Sequence, residues 1–169
     1  MVKIIPLSDN HIAYIDDEDY LLVFVSPWQH IKNPDANTGY AYRQRNARYG
    51  AGLMHRLILG VSQGEKIDHI DGNGLNNTKA NLRICTHSQN MYNSQKPQHK
   101  SGRPTTSKYK GVFYKSDRNR PRPWMARIQY EGKAHYLGTY TTEEEAARAY
   151  DFKAVELHGE FARLNFPDN

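Results

Sequence analysis

Asp68-His69-Ile70-Asp71-Gly72-Asn73, followed by Asn81-Leu82-Arg83 and Ser88-Gln89-Asn90, is the stretch on which the reading of this 169-residue chain turns. One His and two Asn stand twelve and then nine residues apart, with an Asp directly before the His. Hydrolysis of a phosphodiester needs a base to take a proton from water and a positive charge to steady the leaving 3′ oxygen. An imidazole titrating at about 6.5 is neutral near physiological pH and supplies the base. A hard divalent ion such as Mg²⁺ (or Mn²⁺) binds carboxylate and amide oxygens and clamps the phosphate. His69 is therefore the candidate general base, Asp68 the candidate carboxylate ligand and Asn90 the candidate amide ligand. Adjacent residues on an ideal strand point to opposite faces, so Asp68 and His69 share a site only at a strand end or bend. Asp71, two residues beyond His69, is the alternative ligand.

Working outward, residues 66–71 and 82–86 are expected as strands and 87–95 as a helix. The polar loop Gly72–Asn81 between the strands holds two glycines and four asparagines. Leu53–Leu59 is expected as a short helix. Upstream, residues 2–48 have the pattern of a strand meander, with β-rich runs at Lys3–Leu7, Ile12–Asp16, Tyr20–Val25 and Tyr40–Arg45. Downstream, Gln95–Ser107 has the composition of a linker. Three strands are then expected at Lys108–Tyr114, Pro123–Tyr130 and Lys133–Gly138, with Glu131-Gly132 as a tight turn. Thr141-Thr142-Glu143-Glu144 opens a helix whose apolar stripe, including Ala147, Tyr150 and Ala154, runs to Gly159. The fold class is α+β, in two domains at 1–94 (motif core 53–94) and 108–167, joined by the linker 95–107.

Charge divides the chain the same way. Residues 1–94 balance nine Lys/Arg against nine Asp/Glu, while 95–169 carry fourteen against nine and so supply the whole net charge of +5. In 95–140 eleven cations face only Asp117 and Glu131. A neutral half joined to a basic half suits a chemical module tethered to a polyanion-binding one. Cys85 is the single cysteine, which excludes an internal disulfide framework and a Cys-rich zinc knuckle. The longest apolar run, Tyr20 to Val25, is too short to span a bilayer, and the amino terminus lacks a signal-peptide core. The expected setting is the reducing cytoplasm of a bacterial or phage-infected cell, without a membrane partner.

The pieces His55-Arg56-Leu57, Asp68-His69-Ile70-Asp71-Gly72, Asn76-Asn77, Asn81-Leu82-Arg83 and Ser88-Gln89-Asn90 together resemble the HNH nuclease motif of phage and bacterial homing endonucleases. The resemblance implies a ββα-metal fold in which His69 is the base, Asp68 and Asn90 hold the metal, and the Asn81 amide fixes the long loop so that His69 is aimed. It also favours Asp68 over Asp71. His55 is left with two readings, a phosphate contact or a helix cap, and Cys85 is expected in the core. Residues 109–167 resemble the APETALA-two, or ethylene-response-factor, DNA-binding domain. The matching pieces are Tyr109-Lys110-Gly111-Val112, Trp124-Met125-Ala126-Arg127-Ile128, Tyr136-Leu137-Gly138-Thr139-Tyr140, Glu144–Asp151 and Asn165-Phe166-Pro167. That resemblance implies a three-stranded sheet laid into the major groove, backed by one helix.

Alternation on the middle strand gives the same two faces, Trp124, Ala126 and Ile128 against Met125, Arg127 and Gln129. The exposed face is expected to bear Lys110, Lys115, Arg127, Gln129, Lys133 and Tyr136 as DNA contacts, with Arg118, Arg120 and Arg122 holding phosphates from the first hairpin. Phe113 and Gln129 stand where plant members commonly have Arg, so the plant sequence preference does not transfer. The expected activity is site-directed, metal-dependent cleavage of double-stranded DNA. One active site per chain means that a monomer nicks, whereas double-strand cleavage requires a weak dimer or a second visit. The alternative is a sequence-specific DNA-binding regulator whose nuclease site is inactive.

Overall fold

Val2–Pro6 (β1) and Ile12–Asp16 (β2) pair as an antiparallel hairpin, Val2 opposite Asp16 and Pro6 opposite Ile12. Ile5, Ala13 and Ile15 turn inward while Val2 and Ile4 stay exposed. The connection bends through Asp9 and Asn10, both at positive φ (56° and 59°), a conformation that short polar side chains tolerate best among residues with a Cβ. This computed structural model describes every residue except 33–37, 46–49, 51, 97–98, 101–102, 105, 116–120 and 168–169.

The run Tyr20–Val25, expected as a strand, is corrected to a short helix, Tyr20–Phe24 (α1). Asp17, Glu18 and Asp19 precede it in a three-ten turn, which sets negative charge at the helix amino end. Helical spacing brings Tyr20 and Val23 together against the core, where the Trp28 indole donates to the Val23 carbonyl at 2.9 Å. Leu21, Leu22 and Phe24 stay exposed, an outcome that strand alternation would not give. An unforeseen strand, Gln29–Lys32 (β3), pairs with Gly39–Arg43 (β4), and β4 pairs in turn with Gly52–Leu53 (β5). Met54–Leu59 (α2) is the short helix anticipated there, ended by Gly60 at φ 63°. Lys66–His69 (β6) and Leu82–Cys85 (β7) form a hairpin, and His87–Asn93 (α3) follows directly. Ile5, Ala13, Ile15, Val23, Trp28 and Met54 are central to the core beneath these elements.

The meander also clasps the polar loop between β6 and β7. Tyr14 N–H donates to the Leu75 carbonyl (2.9 Å), and Asn77 N–H donates to the Tyr14 carbonyl (2.7 Å). Gly74 N–H donates to Thr38 Oγ1 (2.8 Å) and Lys79 N–H to Asp16 Oδ2 (2.8 Å). At Gly74 the loop passes so near β4 that a Cβ would strike the Gly39 carbonyl oxygen and lie 2.6 Å from the Tyr40 ring.

Two compact units are present, Met1–Asn90 and Met91–Asn169, so the division falls inside α3 and before the segment read as a linker. Within that segment His99–Lys100 (β8) and Arg103–Pro104 (β9) pair as a short ladder. Val112–Tyr114 (β10), Trp124–Tyr130 (β11) and Lys133–Tyr140 (β12) form an antiparallel sheet in that order. The strand expected from Lys108 starts only at Val112 because the preceding groups bond to side chains. Lys108 N–H donates to Glu143 (3.1 Å), Ser107 Oγ to the same carboxylate (2.5 Å) and Lys110 N–H to Asn165 Oδ1 (2.6 Å). Glu131 and Gly132 turn at φ 49° and 75°, as a two-residue hairpin loop requires.

Glu143–His158 (α4) packs on β11 and β12 and begins with a reciprocal cap between Thr142 and Glu145. Val112, Ala126 and Ile128 meet Ala146, Ala147, Tyr150 and Ala154 in its core. The Asp151 carboxylate accepts the backbone N–H groups of Asn165 (2.8 Å) and Phe166 (2.9 Å), which accounts for the Asn165-Phe166-Pro167 motif. Among the described residues no helix is long and apolar enough to cross a membrane.

Candidate active site and nucleic-acid interface

His69 is the last residue of β6, and the chain turns immediately, with Gly72 N–H donating back to the His69 carbonyl at 2.8 Å. His69 thus stands at the strand end and Asp68 one residue inside it. Both side chains are buried. Hairpin register puts Asp68 opposite Arg83, and Asp68 Oδ2 accepts from Arg83 Nε (2.9 Å) and from its terminal nitrogen (2.7 Å). The Asn81-Leu82-Arg83 motif alone assigns Arg83 no role; the hairpin register does. Counting back from a His69–Leu82 pair would have found it.

The His69 ring lies among polar and aromatic neighbours. Nε2 is 3.3 Å from Asn77 Oδ1, and Asn77 itself is fully buried. Asn77 Nδ2 donates to the Leu75 carbonyl (3.2 Å), which fixes the amide so that its oxygen faces the imidazole. Nε2 must then carry the proton, and in the neutral ring Nδ1 holds the basic lone pair. Burial lowers the His69 pKa, outweighing the Asn77 hydrogen bond and the Asp71 and Asp68 charges, which raise it. His55 on α2 packs edge-on against His69 at 5.1 Å between centroids, and the Tyr40 ring lies 5.8 Å from His69. Burial, then His69 and Arg56, push His55 down to about 3, so it is neutral across the physiological range. His55 is thus a buried neighbour of His69, and the end of α2 is closed by Gly60.

Asp71 and Asn81 organise the loop. Asp71 Oδ1 accepts from Asn73 N–H (2.8 Å) and Asn81 Nδ2 (2.9 Å), while Oδ2 accepts from Asn76 Nδ2 (2.8 Å). The Asn81 amide also donates to the Asn76 carbonyl (2.8 Å) and accepts from Asp71 N–H (3.0 Å), spanning the loop from end to end. Asn90 sits half-buried in the first turn of α3, where Thr86 and Gln89 cap each other reciprocally at 3.2 and 2.8 Å. Cys85 is buried, as expected. Among the described residues no three His, Cys, Asp or Glu side chains converge on a cation site.

In the second unit Arg127, Gln129, Lys133 and Tyr136 are exposed on the sheet, and Lys115 and Arg122 are exposed beside it. Arg127 and Tyr136 stand directly opposite each other. Lys110 is placed differently from the expectation. Its ammonium donates to the carbonyl oxygens of Tyr92 (2.5 Å) and Ser94 (2.7 Å), neutralising the carboxyl end of α3. Arg118 and Arg120 lie outside the described residues.

Comparison with known proteins follows the same division. The family described as HNH endonuclease matches residues 53–92. The chain is 40% identical over 118 residues to an uncharacterized HNH endonuclease of Acanthamoeba polyphaga mimivirus, a match covering 66% of this chain and 56% of that protein. It is 35% identical over 104 residues to Protein 3.8 of Escherichia phage T7, covering 62% of this chain and 78% of the relative. A 62-residue segment is 48% identical to an ethylene-responsive transcription factor of Arabidopsis thaliana, covering 36% of this chain and 14% of the plant protein. The chain thus spans little more than half the length of the mimiviral relative, and a small part of the plant one.

Proposed function

The chain belongs to the HNH endonuclease family, and from that premise we propose that it is a site-directed, metal-dependent DNA endonuclease of the homing type. Its centre would be a ββα-metal site made by β6, β7 and α3. The observation that carries the reading is the buried, neutral His69 ring with Nε2 committed to Asn77. In that role the neutral imidazole would take the proton from the attacking water. Asn81 holds the loop that sets the ring's direction, and Arg83 orients Asp68. Asp68 and Asn90 would hold the ion. A carboxylate and an amide oxygen are hard donors that fit Mg²⁺ or Mn²⁺, with water and phosphate oxygens as further ligands. Asp71 accepts three hydrogen bonds from the loop, which suits it to holding that loop in place. Once bound, the divalent ion supplies positive charge to the scissile phosphate and the leaving 3′ oxygen. The products are 5′-phosphate and 3′-hydroxyl ends. The basic sheet of the second unit supplies duplex binding, and one site per chain makes nicking the elementary event.

A supercoiled plasmid incubated with the protein and Mg²⁺ or Mn²⁺ tests this. Conversion to the open circle is expected, and His69→Ala should abolish it while duplex affinity stays within about twofold. Absence of nicking at every metal concentration and pH would reject the enzyme.

A further inference from the structure

Across the outer face of the second unit's sheet, Phe113 on β10 stands opposite Met125 on β11, and Met125 opposite Thr139 on β12. Alternation directs this row away from α4, because the neighbouring Val112 and Ala126 are fully buried against the helix. Thr139 pairs directly with Met125, and a bulge lies just before it in the chain. Ala126 pairs with Gly138 but Arg127 pairs with Tyr136, so Leu137 is an extra residue that turns into the core. Gly138, at φ 127°, accommodates the irregularity. A phenyl ring, a thioether and a methyl group thus form one half-buried line across all three strands.

Cations frame that line. The Arg127 guanidinium lies 4.9 Å and the Lys96 ammonium 5.4 Å from the Phe113 ring centre, and Lys96 is anchored by the carbonyls of Tyr109 (2.7 Å) and Val112 (2.9 Å). The surrounding segment, with eleven Lys/Arg in 95–140 against two acids, complements a polyanion, and with the DNA-binding reading above the occupant argued for this face is duplex DNA. In the major groove an Arg reads the acceptors of guanine, whereas an apolar side chain finds a specific partner only in the thymine 5-methyl group. Gln129, exposed on the same face, has the geometry to bond adenine.

We propose that Phe113, Met125 and Thr139 form a thymine-methyl reading strip, so that this protein selects sites with A·T pairs at the centre of the sheet contact. The inference rests on the DNA-binding reading above and assigns a sequence class to it.

The test uses the full chain in EDTA, so that binding is measured without cleavage. Duplexes are first selected from a random pool. The best duplex is then compared with one in which uracil replaces thymine, a change that removes only the 5-methyl groups. Affinity should fall about fourfold for each contacted methyl lost. Phe113→Ala should narrow the preference for thymine over uracil by about the fourfold of one methyl contact while keeping its far-ultraviolet circular dichroism. A wild-type protein that binds thymine and uracil duplexes alike, or that selects G·C pairs at the contact centre, overturns this inference alone. Failure to bind any duplex overturns the DNA-binding reading and the strip with it.

Discussion

His55 and His69 set two imidazoles 5.1 Å apart, both buried, with the former held neutral down to about pH 3. In the unfolded chain His55 takes up a proton below about pH 6.5, whereas in the fold it does so only near 3. The unfolded state therefore binds more protons between those values, and stability is lost as pH falls through that window. His69, also lowered, adds to the same trend. The expected outcome is a fall of several kcal/mol in unfolding free energy from neutral to acid pH, flattened in His55→Leu, as measured by urea denaturation across pH. Turnover should follow the neutral form of His69, so the acidic limb of the rate profile should lie below the ordinary imidazole value of about 6.5. Asn77→Ala frees Nε2 and removes the constraint on the tautomer. It should lower turnover by about a hundredfold with little change in duplex affinity; an equal loss of binding would make Asn77 a purely structural residue.

At the scale of elements, the loop 72–81 is only as well ordered as its clasp. Gly74→Ala would force a Cβ into the Gly39 carbonyl, and a loss of about 1–3 kcal/mol in stability is expected from thermal or urea unfolding. Lys110→Met should also destabilise, because the carbonyls of Tyr92 and Ser94 lose a charged donor, at a cost of about 1–3 kcal/mol. Its salt dependence of duplex binding should stay unchanged, which distinguishes an intramolecular anchor from a phosphate contact. These two residues also mark what the sequence made legible. The hairpin and α4 announce themselves through local signals: the Gly72–Asn81 polar loop and the Thr141-Thr142-Glu143-Glu144 opening. The β3 strand does not, since Gln29–Lys32 gains its form from pairing with β4 across the chain. Tyr20–Phe24 carried a strand-like composition, and only the acidic turn before it and the Tyr20–Val23 spacing pointed to a helix. Within the site, His69 and Asn81 were visible as residue types at intervals. The Asn77 and Arg83 partnerships depend on loop closure and register, and no single residue encodes those.

For the molecule as a whole, the decisive property is that its excess charge belongs to one half. Residues 1–94 are balanced, so long-range attraction to a polyanion must come from 95–169. Each phosphate neutralised by a Lys or Arg releases counterions, and the slope of log affinity against log salt changes by about 0.9 per contact. Arg122→Ala and Lys133→Ala, both at exposed positions, should each flatten that slope by about this amount and weaken all duplexes alike. Arg127→Ala combined with Tyr136→Ala removes a facing pair on the reading surface. It should narrow the gap between selected and random duplexes more than it alters the slope, because base contacts specify while phosphate contacts position. Titrations of selected and random DNA at several salt concentrations separate the two effects. If the double variant changed only the slope, Arg127 and Tyr136 would be backbone contacts, and sequence discrimination would have to lie elsewhere in the chain.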